Sequence, residues 1–371
     1  MTGRRRRPRI LLVRPDHLGD ILLTLPAVVA LRRALPLARI TYLVNEGLAD
    51  VPSRCPAVDE VITLPFPAPD APFDPPGWRA VVREAAPSLA DRSDIAVLLR
   101  PEDPWSGALV LAAGIPVRLG FAQTGTRPFL TDAVPPESRD RHGVRLAADI
   151  LRRAATLVGS SLPSLDVGGP VIVPTPEDER RCEEMLATVA DRTTDRPFVL
   201  HPGSGWRLKN WPASKWGALA RSLAAAHGRH ALVVGARSER AVCESVVVAA
   251  GASAVLGPTL PFGAVAALHR RARVVASVDS GATHLAAMIG APVVAVFGPG
   301  DPRMAAPWCD PRRRRVVRVE LQCSPCGRMH DPPCGARELP RCVRGVSVER
   351  VARAIGELSD ELHLVDAACP R

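Results

Sequence analysis

Lysine is nearly absent from this chain. Lys209 and Lys215 are the only two among 48 Lys and Arg residues, and both lie in one short segment, His201–Lys215. The abundance of Arg, Ala and Pro points to a GC-rich coding bias that turns Lys into Arg wherever either serves. A lysine that survives such drift marks a place for a compact ammonium rather than a planar guanidinium. Lys209 follows a Gly/Ser turn behind an apolar strand, a setting that holds phosphates. Lys215 falls in an amphipathic helix pattern and is expected to be solvated.

Other scarcities exclude whole classes of function. Aromatic residues make up 4% of the chain, with a single Tyr, and the basic residues are dispersed; this disfavours a nucleic-acid-binding protein. No run of ~18 apolar residues exists, so no membrane-spanning helix is expected. The apolar run behind the basic start Arg4–Arg7 breaks at Arg14-Pro15-Asp16-His17, too early for a secretory signal. Nine cysteines, unevenly spaced, are too few for a secreted disulfide scaffold, and a cytoplasmic protein is expected. Gly-x-Gly-x-x-Gly is missing after the first strand, which argues against a nicotinamide oxidoreductase. The Walker spacing is missing as well.

What remains is a chain of 371 residues, 47% hydrophobic, long enough for two domains. Its net charge of +10 favours an anionic partner such as a nucleotide or an anionic phospholipid surface. The first half alternates apolar strands (Ile10–Val13, Ile40–Val44, Val58–Leu64, Ile95–Leu99, Val117–Phe121) with helical patterns (Ile21–Leu35, Trp78–Leu89, Trp105–Ala113, Arg139–Leu157). The loop Pro65–Pro76 is too proline-rich for regular structure. Ser160–Pro176 is rich in Ser, Gly and Pro and reads as a connection. The alternation then restarts, with strands Phe198–Leu200, Ala231–Val234, Ala254–Leu256, Val274–Val278 and Val293–Phe297. The helices between and before them are Glu177–Val189, Ala213–Ala226, Ser238–Ala250, Phe262–Arg271 and Thr283–Ile289. Short apolar strands alternating with helices imply parallel sheets covered on both faces. The expected domains are residues 1–165, a linker over 166–176, residues 177–345, and a terminal helix and tail over 346–371. The run Arg312–Arg315 reads as a solvated turn or a strand edge, and Ser347–Leu362 as the last helix.

Four constellations carry candidate chemistry. In Arg14-Pro-Asp16-His17-Leu-Gly19-Asp20, Gly19 permits a tight turn, and Asp20 is either a helix N-cap or a general base. In the Lys209 segment, Ser204 and the amides around Gly203 and Gly205 can donate to an anionic oxygen, and Lys209 can neutralise a departing diphosphate. In Asp279-Ser280-Gly281-Ala-Thr-His284 a strand runs into a helix whose amides form an anion site, with His284 one turn in. Cys323-x2-Cys326-x7-Cys334-x7-Cys342 has spacings that suit a tetrahedral structural zinc or iron site. Reduced surface thiols or disulfides are the alternatives.

Together these motifs resemble glycosyltransferase family 9, the ADP-heptose:lipopolysaccharide heptosyltransferases and their relatives. The resemblance runs from about residue 9 to residue 355. It rests on Gly19-Asp20 before Ile21-Leu-Leu-Thr-Leu-Pro26, His201-Pro-Gly…Lys209-x-Trp211-Pro212, Asp279-Ser-Gly-x-x-His284 and Phe297-Gly-Pro299. It implies the GT-B fold, two Rossmann-like parallel-sheet domains facing across a cleft, with the acceptor in the N-terminal half and the nucleotide-sugar in the C-terminal half. It implies an inverting transfer that needs no metal for chemistry. Asp20 would deprotonate the acceptor hydroxyl and Lys209 would stabilise the leaving diphosphate. Asp279, Ser280, Gly281 and His284 would hold the donor's phosphates and sugar, and Glu239 falls near the family's ribose carboxylate. The Pro65–Pro76 loop has no counterpart in that pattern, which leaves the acceptor open among glycans, glycolipids and small molecules. A non-catalytic basic scaffold is the rival reading, and the presence of every proposed reactive residue argues against it.

Overall fold

The computed structural model describes residues 7–67, 77–135, 141–167, 169–189, 196–228 and 230–368, with side chains as far as residue 362. Most of the Pro65–Pro76 loop and Cys369 lie outside the described residues. The chain divides into two compact units, Met1–Asp166 and Val167–Arg371.

The first unit runs β1 (Arg9–Val13), α1 (Leu18–Ala34), β2 (Arg39–Asn45), α2 (Asp50–Ser53), β3 (Glu60–Leu64), α3 (Trp78–Leu89), β4 (Ile95–Leu98), α4 (Pro104–Ala112), β5 (Val117–Phe121), β6 (Asp132–Val134) and α5 (Gly143–Leu157). Its six strands are all parallel, in the order β3-β2-β1-β4-β5-β6. The central strands β1 and β4 are buried over almost their whole length, as a sheet covered on both faces requires.

The second unit runs α6 (Pro176–Ala187), β7 (Phe198–His201), α7 (Ala213–His227), β8 (Ala231–Val233), α8 (Arg240–Ala250), β9 (Ala254–Leu256), α9 (Phe262–Arg271), β10 (Val274–Val278), α10 (Gly281–Met288), β11 (Val293–Val296), α11 (Pro302–Ala305), β12 (Arg314–Val317), α12 (Arg341–Arg344) and α13 (Val348–Ala368). Its sheet is also parallel and six-stranded, in the order β12-β11-β10-β7-β8-β9. Counted from the first strand of each unit, both orders are 3-2-1-4-5-6. Strand order therefore reverses between β1 and β4 in one unit and between β7 and β10 in the other. Ligands of open parallel sheets bind beyond the carboxyl ends of the strands at such switch points.

β6 escapes the sequence pattern, and β12 takes the strand-edge alternative read for Arg312–Arg315. β6 has three residues, and β12 is half arginine, so neither shows an apolar run. β12 is nonetheless a parallel edge strand on β11. Half-exposed positions at a sheet edge accept arginine readily.

The core of the second unit pins the lysine-bearing segment from its far end. Trp211 and Trp216 are fully buried and meet edge to face, 5.0 Å apart at 85°. The Trp211 indole N–H donates to Val346 O at 3.1 Å. Lys215, expected to be solvated, instead donates to the carbonyls of Arg344 at 2.6 Å and Val346 at 2.7 Å. The first carbonyl ends α12 and the second follows it, so the ammonium ties α7 to the end of α12 and the turn before α13. A three-donor point charge suits two convergent carbonyls, which accounts for a lysine at this position.

Candidate active site

The switch point of the first unit is built from the loops after β1 and β4. Arg14 leaves β1 buried and donates through Nη1 to Leu99 O at 2.9 Å, which locks the two loops together. Its other nitrogens meet two carboxylates, Nε to Asp16 Oδ1 at 2.7 Å and Nη2 to Asp20 Oδ1 at 3.1 Å. Burial works against the Arg14 charge, but Asp16 and Asp20 more than restore it, and its pKa stands above the ordinary arginine value. Arg100, behind β4, reaches Asp16 at 3.6 Å and lies over the Trp105 ring.

Asp20 sits in the first turn of α1 and is not its cap; His17 holds that position, without a side-chain capping bond. The Asp20 side chain is 39% exposed, against 9% for Asp16, so Asp20 is the more accessible carboxylate of the pair. Gly19 precedes it within the same turn. Sequence reasoning missed Asp103. It is wholly buried and caps α4 by accepting from the Ser106 N–H at 3.1 Å. Burial pushes its carboxyl up to about 6, against the opposing pull of Ser106 and Arg100. The Asp103-Pro104 pair, an N-cap before a proline at the first helical position, was the available signal.

The switch point of the second unit is built from the loops after β7 and β10. Lys209 closes a 3-10 turn, and its Nζ lies 2.8 Å from Asp279 Oδ2; the side chains are 17% and 3% exposed. Asp279 directly follows β10, anchored by its own N–H to Val296 O at 3.0 Å. Gly300 makes room for this pair, because a Cβ there would sit 2.1 Å from Asp279 Oδ2. Ser280 is the N-cap residue of α10 and makes no side-chain capping bond; its hydroxyl oxygen is buried and has no hydrogen-bonding partner among the described residues. Gly281 opens the helix, and His284 is buried one turn further in.

Glu239, His201, Gly203 and Ser204 complete this side. Glu239 Oε2 meets His201 Nε2 at 3.1 Å and accepts from the Ala236 N–H at 2.8 Å. Burial raises the Glu239 carboxyl, but the His201 contact and the Ala236 N–H outweigh it, and the pKa falls below the ordinary value. Gly203 lies against this carboxylate, since a Cβ there would come within 2.5 Å of Glu239 Cδ. Ser204 Oγ lies 2.8 Å from Trp206 O and 2.7 Å from Asn210 Oδ1, so its hydroxyl is engaged in shaping its own loop. The structure thus brings Lys209 to Asp279 and Gly203 to Glu239. Sequence reasoning missed His201 as a site residue, together with Asn210 and Gly300.

The four cysteines of the candidate metal site lie in unlike surroundings. Cys342 lies in α12, buried in the core of the second unit, while Cys323 and Cys334 are exposed and Cys326 is half-buried. Burial raises the Cys342 thiol, with Ser324 and Cys326 as its polar neighbours. Among the described residues, no three His, Cys, Asp or Glu side chains converge on a common point that could hold a metal ion. The packing of α12 buries Cys342 among the core residues of the second unit, with its thiol facing Ser324 and Cys326. Also among the described residues, no helix is long and apolar enough to cross a membrane.

Comparison with known proteins gives a consistent result. The model of glycosyltransferase family 9 (heptosyltransferase) matches residues 89–334. Lipopolysaccharide heptosyltransferase 1 of Pseudomonas aeruginosa is 26% identical over 332 residues, 86% of each chain. A glycosyl transferase family 9 structure from Veillonella parvula superimposes with a TM-score of 0.78 at 22% identity, covering 95% of this chain and 97% of that one. The E. coli ADP-heptose LPS heptosyltransferase II gives a TM-score of 0.75 at 19% identity over 96% and 99%.

Proposed function

The chain belongs to glycosyltransferase family 9, and from that premise we propose that it moves a heptose from an ADP-linked donor to a hydroxyl of a glycan or glycolipid acceptor. The chain is a glycosyltransferase with two Rossmann-type sheets of the GT-B class. The names of its relatives support heptose and ADP as the donor's parts. The observation that carries the reading is the Lys209–Asp279 pair at the β7/β10 switch point, beside a helix N-terminus whose capping hydroxyl has no partner among the described residues.

In this mechanism the second unit binds the donor. The amides of Ser280 and Gly281 donate to the diphosphate oxygens, with Gly203 and its neighbouring amides assisting. Asp279 holds the Lys209 ammonium, His284 and Asp279 stand beside the sugar, and Glu239 accepts from the ribose hydroxyls. The first unit binds the acceptor, with Asp20 as general base. The acceptor oxygen loses its proton to Asp20 and bonds to the anomeric carbon. The bond from that carbon to the phosphate oxygen breaks, and the nucleoside diphosphate leaves with the electron pair. Attack opposite the leaving group inverts the anomeric centre. Lys209 and the α10 N-terminus stabilise the charge that develops on the diphosphate. Among the described residues no three metal-ligating side chains come together, and no step is routed through a metal. The net charge of +10 supports a peripheral contact with an anionic membrane surface on the cytoplasmic side, where a lipid-linked acceptor would be met.

Calorimetric titration with ADP, UDP, GDP and dTDP, on wild type and Lys209→Ala, tests the donor half. Binding of ADP alone, weakened at least tenfold in the variant, is expected. A transfer assay with Asp20→Asn tests the acceptor half; kcat is expected to fall by about 10²- to 10⁴-fold with ADP affinity unchanged. Folded protein that binds none of the four nucleotides would overturn the reading.

A further inference from the structure

The carboxylate assigned to the ribose is held on one oxygen only. Glu239 Oε2 takes both the His201 ring nitrogen at 3.1 Å and the Ala236 N–H at 2.8 Å. Oε1 has no partner among the described residues and lies over Gly203, where a Cβ would stand 2.6 Å from it. His201 closes β7, its Cα in register with Ser277 of β10, so its ring leaves from the centre of the switch point. The other ring nitrogen, Nδ1, is buried without a partner among the described residues. On another side stands His269, fully buried and 6.3 Å away edge to face. Burial holds the His269 ring neutral, its pKa down to about 3, so it offers His201 no charge. Among the described residues Glu239 is the one anionic group in contact with the His201 ring; a carboxylate oxygen only accepts, so this contact calls for the hydrogen on Nε2.

We propose that His201 is a positioning residue for the donor: by pinning Oε2 it turns Oε1 toward the nucleotide's ribose diol. A carboxylate held by a single backbone N–H can rotate about its last torsion, whereas two donors on one oxygen fix the direction of the other. The free oxygen can only accept, so it selects a neutral hydroxyl donor and repels phosphate. The site therefore orients the nucleoside and keeps the diphosphate at the α10 end. This rests on the reading of Glu239 as the ribose carboxylate.

The test uses the full chain with ADP and with 2′,3′-dideoxy-ADP, which lacks the diol. Glutamine places its amide nitrogen where His Nε2 lies, and asparagine where Nδ1 lies. His201→Phe and His201→Asn are expected to weaken ADP binding by about tenfold and dideoxy-ADP by less than twofold. His201→Gln is expected to recover most of the ADP affinity. In ¹⁵N spectra of the ligand-free protein, His201 should carry its hydrogen on Nε2. Unchanged ADP binding in His201→Phe, equal loss for both nucleotides, or equal values for the Gln and Asn variants would overturn the proposal. Glu239→Gln separates the two claims. If that variant binds ADP normally, the ribose assignment fails, while the ¹⁵N tautomer still reports on the His201–Glu239 pairing.

Discussion

Gly300→Ala is the sharpest perturbation the geometry offers. The new Cβ would lie 2.1 Å from Asp279 Oδ2 and 3.2 Å from its Cγ. A comfortable carbon–oxygen contact is roughly 3.3 Å, so the carboxylate must move by more than about 1 Å. It has nowhere soft to go. Asp279 is 3% exposed and its backbone is fixed to Val296, so the motion comes out of the 2.8 Å contact with Lys209. Removing one partner of a buried pair costs about 3–5 kcal/mol; displacing rather than deleting it, with Lys209 partly exposed, should cost about 2 kcal/mol. For a unit of this size that lowers Tm by about 4–8 °C. The misplaced ammonium should also weaken ADP binding by about tenfold or more. Thermal unfolding and calorimetry read both effects. Gly169→Ala, away from the donor loops, is the control, because a Cβ there meets nothing within 4 Å. Wild-type Tm and wild-type ADP affinity in Gly300→Ala would refute the placement of the Asp279 carboxylate and the role given to the pair.

Three other outcomes follow from the same geometry. Asp103 is raised to about 6, so between pH ~4 and ~6 the folded chain keeps a proton that the unfolded chain has released, and stability falls as pH rises. Asp103→Asn keeps the cap and should be about 2–3 kcal/mol more stable than wild type above pH 6, with no difference below pH 4, in urea unfolding curves. His269 has the opposite sign. With its pKa lowered to about 3, the unfolded chain takes up a proton below pH ~6.5 that the folded chain refuses, and stability falls as pH falls. His269→Phe should flatten that acid limb and add about 1–3 kcal/mol at pH 7.5 by removing two buried ring nitrogens that have no partner among the described residues. Lys215→Met removes the ammonium from the Arg344 and Val346 carbonyls and should cost about 1–2 kcal/mol, while ADP affinity stays at the wild-type value.

Periodicity made much of the architecture legible. The helix at Phe262–Arg271 and the strands at Val117–Phe121, Ala254–Leu256 and Val274–Val278 were readable to the residue, because buried parallel strands are short apolar runs and helices repeat every 3.6 residues. Asp20 and Lys209 were legible as candidates because a Gly turn and a rare lysine are local signals. Lys215 shows the limit of that signal. Its scarcity marked it as special, but not that its partners were carbonyls 129 and 131 residues away. The cysteine spacing has the same limit: spacing describes a loop, and the packing of α12 decides how deeply Cys342 is buried.

The sequence alone determined the alternation of strands and helices and the identity of the groups able to carry charge at the ends of strands. Tertiary structure decided which of those groups meet. Lys209 reaches Asp279 because β10 pairs with β7, and Arg14 joins Asp16 and Asp20 to the carbonyl of Leu99 because β4 pairs with β1. Strand order is a long-range property set by crossovers and by burial of both sheet faces, and no local window of residues contains it. The burial that lifts Asp103 and keeps His269 neutral arises in the same way, from neighbours that only the assembled sheets and their covering helices bring together.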